Sequence, residues 1–272
     1  MAETSIFWLR IAALLYSLGL IHAFLTVAGR REHMFRVALG AFLLGSILHL
    51  VSLVDEAVIT NHFPANNVYE SLSLCSFLIA LLFLFVYWRY RLESLGVVIF
   101  PLVFVMALVA TLTNRVPVWG SKAIRDTWLT VHVVAILLGY AALLFTAVAA
   151  LLYLVQEREL KRRKPRNLYY RLPPLGTLDD LISKSMGFGF VFLTLGIVIG
   201  STWAFVELGT HWIREPKIGI SVVTWLIYLT MVFLRVTAGW RGRKAAVISI
   251  IVLISSALTW AAHVGLKPLL EK

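Results

Sequence analysis

The sequence predicts an all-α integral membrane protein with about eight transmembrane helices. Hydrophobic residues make up 60% of the 272-residue chain and charged residues 14%, and the mean hydropathy is +0.86. These values are far too apolar for a soluble domain of this length. A helix needs roughly 20 apolar residues to cross a hydrocarbon layer of about 30 Å. About eight such runs, separated by short polar links, fill most of the sequence, so we predict one polytopic membrane domain over residues 1–272.

Each predicted span must be helical, because lipid offers nothing that would satisfy free backbone polar groups and the runs are too long for barrel strands. The first run is long enough to span and lacks a convincing small-residue cleavage site. We therefore expect it to be a mature helix rather than a signal peptide. The predicted spans are residues 6–28, 37–55, 67–88, 95–113, 129–155, 186–208, 218–236 and 245–265.

Lysine and arginine predict the orientation of these spans. They concentrate in the links after the first, third, fifth and seventh spans, which the positive-inside rule places in the cytoplasm. The other links, both termini and a tryptophan-rich loop at 203–217 then face outward. The formal net charge of +11 follows from this topology and from attraction to anionic lipid, so no nucleic-acid partner is required.

The longest cytoplasmic link, residues 156–185, is basic and is interrupted by prolines. A short amphipathic helix is predicted after them, because Thr177 and Asp180 have capping-box spacing. Leu178 and Leu181 would share one side of that helix. We expect it to lie flat on the inner membrane surface, where it could also dock a partner.

The common catalytic signatures are missing. Cys75 is the single cysteine and lies inside the third span, so a structural disulfide and a Cys-x-x-Cys-His haem attachment site are both excluded. The sequence also has no phosphate-binding loop, no dinucleotide fingerprint and no His-Glu-x-x-His metal helix. Histidine remains as the residue type with chemistry to offer.

Four histidines fall at or near the predicted outer surface: His62, His132, His211 and His263. A single histidine at a helix end is more often a polar group that reaches the interface than a ligand. Four at one depth, drawn from separate parts of the chain, favour a shared ligand. Haem iron takes imidazole axially, and a pair of histidines on opposite faces is an ordinary way to hold it.

His22 and His49 lie within predicted spans. They could form an inner pair of haem ligands. Alternatively, each is a buried imidazole bonded to a neighbouring helix.

Haem also needs apolar contacts for its faces and cations for its propionates. Tryptophans on the predicted outer side are Trp119, Trp128, Trp203 and Trp212. Basic residues there are Arg115, Lys122, Arg125, Arg214 and Lys217. The alternative for each tryptophan is the aromatic belt of an ordinary membrane protein.

Four short segments carry a family resemblance. They are residues 61–72 with an Asn-x-Tyr-Glu-Ser-Leu core, 175–204 with a Leu-Thr-Leu-Gly helix and a Trp-Ala end, 224–228, and 239–246. Together, over roughly residues 60–265, they resemble the cytochrome c assembly family of haem-handling membrane proteins, the CcsA and CcmC type. The resemblance implies a carrier in c-type cytochrome biogenesis that holds and delivers haem without catalysing a reaction.

The resemblance implies that His132 and His263 ligate haem iron from opposite sides at the outer face. It assigns Trp203, Trp212, Pro216 and Lys217 to the tryptophan-rich loop, and His62, His211 and Arg214 are further candidates for contact with haem. The implied cofactor is haem b, bound transiently and without covalent attachment. The implied partners are apocytochrome c and a membrane or outer-side assembly protein, in the bacterial cytoplasmic membrane.

The loop departs from the family pattern. Leu208 and Arg214 stand where the family has tryptophan, Glu215 replaces an aspartate, and Phe233 stands where some members carry an intramembrane histidine. A loop with fewer tryptophans is closer to that of HemX-like membrane proteins, which are linked to tetrapyrrole synthesis. The alternative function is therefore a membrane regulator or scaffold with a degenerate haem site.

Two local predictions concern packing. Gly196 and Gly200 form a small-x-x-x-small face in the sixth span, which favours close helix approach. Glu70, near the outer end of the third span, is expected to cap its helix or pair locally rather than to transfer protons.

Overall fold

The described residues fold into eight α-helices. In the computed structural model they are α1 (Glu3–Gly29), α2 (Glu32–Thr60), α3 (Val68–Tyr90), α4 (Glu93–Thr111), α5 (Thr127–Leu160), α6 (Leu175–Leu208), α7 (Pro216–Val236) and α8 (Arg243–Leu270). The structure describes residues 1–29, 32–65, 67–112, 127–162, 172–208 and 216–270, with side chains for 1–21, 35–65, 67, 69–112, 128–162, 172–206 and 218–259. Within these ranges the regular structure is entirely helical. Each predicted span corresponds to one helix, which confirms the all-α class.

These helices are long enough to cross a membrane. α1 to α7 each contain a described stretch of 19 residues or more whose length and hydropathy suit a membrane span. α8 is 28 residues long, which also exceeds the roughly 20 residues that a span needs. The chain is therefore a multi-pass membrane protein. The direction in which it crosses the membrane remains a prediction.

The basic link at 156–185, which is predicted to be cytoplasmic, differs from the expected arrangement at its end. Residues 175–182 continue without a break into the sixth span as one helix, α6, instead of forming a separate surface helix. Leu178 and Leu181 are 0% and 2% exposed, so their apolar side packs inside the protein. The sequence pattern located an amphipathic turn, but it could not show that other helices of the protein cover that side.

The helices form two compact units, Met1–Asp126 and Thr127–Lys272. In unit 1, α1 packs against α2 and α4, and α3 packs against α2 and α4. Aromatic rings fill the centre: Phe42 stacks on Phe100 with ring centroids 4.2 Å apart and meets the edge of Phe83 at 5.4 Å. Such ring pairs add to the free energy gained from burial of apolar area.

In unit 2, glycines let α5 and α6 approach closely. A Cβ added at Gly139 would lie 2.5 Å from Cγ of Leu193, and one added at Gly196 would lie 2.6 Å from Cδ1 of Ile136. Neighbouring side chains therefore occupy the space that a larger residue would need. This confirms the predicted small-residue face of the sixth span.

A polar junction, which comprises Asp179, Arg235 and Gly242, ties α6 to the α7–α8 turn. The guanidinium of Arg235 donates to both carboxylate oxygens of Asp179 at 2.9 Å and to its carbonyl at 2.9 Å. The backbone N–H of Gly242 donates to the same carboxylate at 3.0 Å. Gly242 has φ +62, a conformation that glycine adopts without steric cost.

Candidate functional site

The side-chain contacts of unit 2 show which helix ends lie together. His132 and Thr146 of α5 meet Gly196 and Ser185 of α6 respectively, so these helices are antiparallel. Further contacts make α7 antiparallel to α6, through Trp225 with Thr194 and Arg235 with Asp179, while Thr224 of α7 bonds Thr259 of α8. The start of α5, the end of α6, the start of α7 and the end of α8 therefore share one end of the unit. We call it the loop-side end, because α6 ends and α7 begins there.

The His132 side chain is held against α6 at the loop-side end, in a position that we call the His132 seat and that Gly196 and Gly200 form. It is the sixth residue of α5, and its ring lies directly over Gly200 of α6, where an added Cβ would come within 2.4 Å of the imidazole Cε1. Its Nδ1 lies 2.6 Å from the carbonyl oxygen of Gly196. The two glycines that were predicted as a packing face thus hold an imidazole.

The hydrogen bond to Gly196 determines the tautomer of His132. A backbone carbonyl can only accept, so Nδ1 carries the proton and donates it. In the neutral ring Nε2 then carries the lone pair. An imidazole whose Nδ1–H donates to a carbonyl, with Nε2 as the basic nitrogen, is the arrangement that metal-ligating histidines commonly show.

Two of the predicted tryptophans are described at this end. Trp203 follows Gly196 and Gly200 at spacings of seven and three, which places it on the same side of α6. Trp128 is 50% exposed, and its Nε1–H donates to the carbonyl of Ile199 at 2.8 Å. Trp128 therefore helps to join α5 to α6, a structural role that the sequence pattern did not indicate.

His263 lies on α8, four residues and one turn beyond Thr259, but its side chain is outside the described part of the structure. The same holds for the side chains of Pro216 and Lys217 at the start of α7. The predicted outer-face residues that lie outside the described residues altogether are Arg115, Trp119, Lys122, Arg125, His211, Trp212 and Arg214. Their assignment to the haem site remains a prediction from the sequence.

His62 belongs to unit 1, in the link between α2 and α3. Asn61 adopts a left-handed φ of 52 at the end of α2, a conformation that asparagine tolerates better than most residues, and it turns the chain there. The Nδ1–H of His62 donates to the carbonyl of Phe63 at 2.9 Å. One ligand atom each of His62, Glu56 and Glu70 lies within 4.8 Å of the others.

Glu70 pairs locally at the start of its own helix, one of the two roles predicted for it. Its backbone N–H donates to the side chain of Asn67 at 2.9 Å, while the Asn67 amide donates back to a Glu70 carboxylate oxygen at 2.6 Å. Asn67 is thus the N-cap of α3, and the Glu70 carboxylate holds the Asn67 side chain in its capping position.

His49 is a buried structural histidine, which confirms the second of its two predicted roles. It is 0% exposed, and its two ring nitrogens lie 3.2 Å from the Tyr16 hydroxyl and 2.9 Å from Ser73 Oγ. Both partners belong to neighbouring helices, α1 and α3. The side chain of His22 is outside the described residues, so the structure does not describe the other member of the proposed inner pair.

We expect His49→Ala to destabilise unit 1 and to leave unchanged the haem binding that the sequence predicts at the outer-face histidines. The substitution leaves buried hydroxyls of Tyr16 and Ser73 without this partner, which costs roughly 1–3 kcal/mol in the free energy of unfolding. Unfolding in mixed detergent micelles measures that loss, and the visible spectrum reports on haem. Loss of the haem spectrum in a folded variant would instead favour His49 as a ligand.

The model of the family described as "Cytochrome C assembly protein" matches residues 65–261. The chain is 28% identical over 280 residues to "Cytochrome c biogenesis protein CcsA" of Guillardia theta, covering 95% of this chain and 89% of that protein.

Two further relatives carry the same name. The protein from Trieres chinensis is 26% identical over 256 residues, which cover 83% of this chain and 81% of that protein. The protein from Microcystis aeruginosa is 27% identical over 254 residues, which cover 76% of each. These matches agree with the resemblance seen in the sequence, and the three relatives cover between 76% and 95% of this chain.

Proposed function

Because the chain belongs to the cytochrome C assembly protein family, we propose that it holds haem at the outer face of a membrane and delivers it during c-type cytochrome biogenesis. The names of its relatives support this role. The observation that carries the proposal is the seat of His132 on α6. The seat orients one imidazole and fixes its tautomer at the helix ends that flank the tryptophan-rich loop.

His132 would supply one axial nitrogen. Bound haem offers an iron that takes imidazole as an axial ligand, and the lone pair of Nε2 suits that bond. The hydrogen bond from Nδ1 to Gly196 at 2.6 Å would keep the ring from rotating, as orienting partners of metal ligands do. The residues described at this end therefore fit a haem-binding site.

His263 would supply the second axial nitrogen, since α8 ends at the loop-side end. Trp203, with Trp212 and Pro216, would provide apolar contact for the porphyrin faces. Arg214, Lys217 and His211 would lie near the propionates, where Arg and Lys form charge-assisted hydrogen bonds with carboxylates. The single cysteine, Cys75, gives no means of covalent attachment of the Cys-x-x-Cys-His type, so the group would be haem b in a transient complex.

This is the chemistry of a carrier rather than of a catalyst. The chain's own residues bind, orient and release haem without breaking a bond in a substrate. Release requires an acceptor, so the expected partners are apocytochrome c and a membrane or outer-side assembly protein. The excess of basic residues in alternate links suits a bacterial cytoplasmic membrane with anionic lipid.

The visible spectrum tests this proposal. Protein purified from haem-replete cells should show a Soret band that the His132→Ala, His263→Ala double variant lacks. His33→Ala is the matched control, because His33 falls in a predicted cytoplasmic link, and it should keep the band.

Two outcomes would overturn the proposal. A Soret band that persists in the double variant would show that other groups ligate the iron. Colourless wild-type protein would favour the HemX-like alternative, a regulator or scaffold whose thinned loop, with Leu208 and Arg214 in place of tryptophan, no longer holds haem.

A further inference from the structure

A pair of buried threonine hydroxyls, which we call the threonine pair, joins α7 to α8 near the loop-side end. Thr224 is 7% exposed and Thr259 is 1% exposed, and their side-chain oxygens are hydrogen-bonded to each other. The Thr259 hydroxyl also donates to the carbonyl of Ser255, one turn earlier in α8, at 3.0 Å. A hydroxyl has a single proton to donate, so the Thr259 oxygen accepts from Thr224.

The two helices are loosely packed on one side of the threonine pair. An apolar groove of about 450 Å³ lies between them, and its lining includes Gly219 and Val223 of α7, Leu258 of α8 and both threonines. A Cβ added at Gly219 would meet nothing within 4 Å. Lipid provides no hydrophobic force that would press the helices together, so packing and interhelical hydrogen bonds must hold them. Where the packing is open, the hydroxyl bond contributes a larger share.

His263 lies one turn beyond the threonine pair, on the side of α8 that is buried. Ser249, Val252, Ser256 and Thr259 are each at most 2% exposed. They follow one another at spacings of three, four and three, so they share one side of the helix. Position 263 is the next on that side. A shift of the end of α8 away from α7 would therefore move His263 relative to the rest of unit 2.

The hydrogen bonds between helices place position 263 at the depth of His132. Trp225, adjacent to the threonine pair, donates to Thr194 of α6, so Thr194 and Thr259 lie at a similar depth. The two glycines of the His132 seat are two and six residues beyond Thr194, which is about 3–9 Å towards the loop-side end. His263 is four residues beyond Thr259, which is about 6 Å in the same direction.

We propose that the threonine pair positions His263 as an axial ligand of haem, by fixing the loop-side end of α8 against α7. The inference rests on the proposed haem function, and it assigns to Thr224 and Thr259 the alignment of a ligand rather than the binding of iron. Without the hydroxyl bond the end of α8 separates from α7, and the imidazole at 263 reaches the iron less often. His132 is held separately, on α6, and keeps its place.

The spin state of bound ferric haem tests this inference. Iron with two axial imidazoles is low-spin, whereas iron that keeps only one is mainly high-spin. Thr259→Val retains the branched shape of the side chain but removes the hydroxyl. The variant should therefore bind haem roughly five- to tenfold more weakly, the factor that corresponds to one lost hydrogen bond, and in the high-spin form. Thr224→Val should behave alike, and Thr259→Ser, which keeps a hydroxyl, should restore the low-spin form. Titration with haem and electron paramagnetic resonance measure the two effects.

Ser256→Ala is the matched control, because it removes another buried hydroxyl from the same side of α8. The Ser256 oxygen has no hydrogen-bond partner among the described residues, so its loss should change neither the affinity nor the spin state. The inference is overturned, and the proposed function is not, if the wild type holds low-spin haem and both valine variants do so with equal affinity. Equal impairment by Ser256→Ala, or no recovery in Thr259→Ser, would also overturn it. Wild-type protein without a Soret band overturns the proposed function and the inference together.

Discussion

Gly200→Ala is expected to lower haem affinity by roughly 10- to 100-fold, the range that follows from loss of an orienting partner of a metal ligand. The new Cβ would lie 2.4 Å from Cε1 and 2.6 Å from Nδ1 of His132, far inside van der Waals contact. The imidazole would therefore have to turn away from α6. This movement breaks the hydrogen bond from Nδ1 to Gly196 and misdirects Nε2.

The fold should survive this change, because the atoms that must move belong to a side chain that can rotate about its own bonds. Gly187→Ala is the control: it makes the same substitution in the same helix, at a position where an added Cβ meets nothing within 4 Å. Titration of both proteins with haem, followed at the Soret band, measures the difference. Equal affinities would contradict a role for the His132 seat in haem binding.

The positions of the helices could be predicted because a membrane span has a strong and local signal. Backbone N–H and C=O groups inside the bilayer must form hydrogen bonds within the span. A long apolar run therefore folds as a helix. The start of the sixth span was predicted wrongly, because this helix boundary depends on tertiary contacts. Residues 175–182 have the pattern of a surface helix, yet they extend α6, because Arg235 and Gly242 bind Asp179 and Leu178 is buried in the fold.

The candidate site was predicted in part. Histidine type and depth pointed to His132, and the spacing of Gly196 and Gly200 pointed to a close helix contact. The sequence did not show that these two features meet, since residues 64 positions apart come together only through the packing of α5 on α6. Glu56 gave no signal at all. It lies beside His62 and Glu70 only because α2 packs against α3 in the fold.

Asp179→Ala is expected to lower the free energy of unfolding by about 3–5 kcal/mol, the usual cost of removing one partner of a buried ion pair. The Arg235 side chain is 7% exposed and that of Asp179 is 21% exposed, so the guanidinium would remain largely buried without its counter-charge. The N–H of Gly242 would lose its acceptor as well. Unfolding in mixed detergent micelles, followed by circular dichroism, measures the change.

The neighbouring acid provides the control for Asp179→Ala. Asp180 pairs with Lys184 at 2.7 Å, but the two side chains are 45% and 60% exposed, and an exposed pair one turn apart contributes only about 0.3–0.5 kcal/mol. A second comparison separates charge from packing. Asp179→Ala combined with Arg235→Met removes both charges, and it should recover much of the lost stability, because an apolar side chain carries no desolvation penalty. If Asp179→Ala and Asp180→Ala were equally mild, the polar junction would not be what holds the end of α6 against the α7–α8 turn.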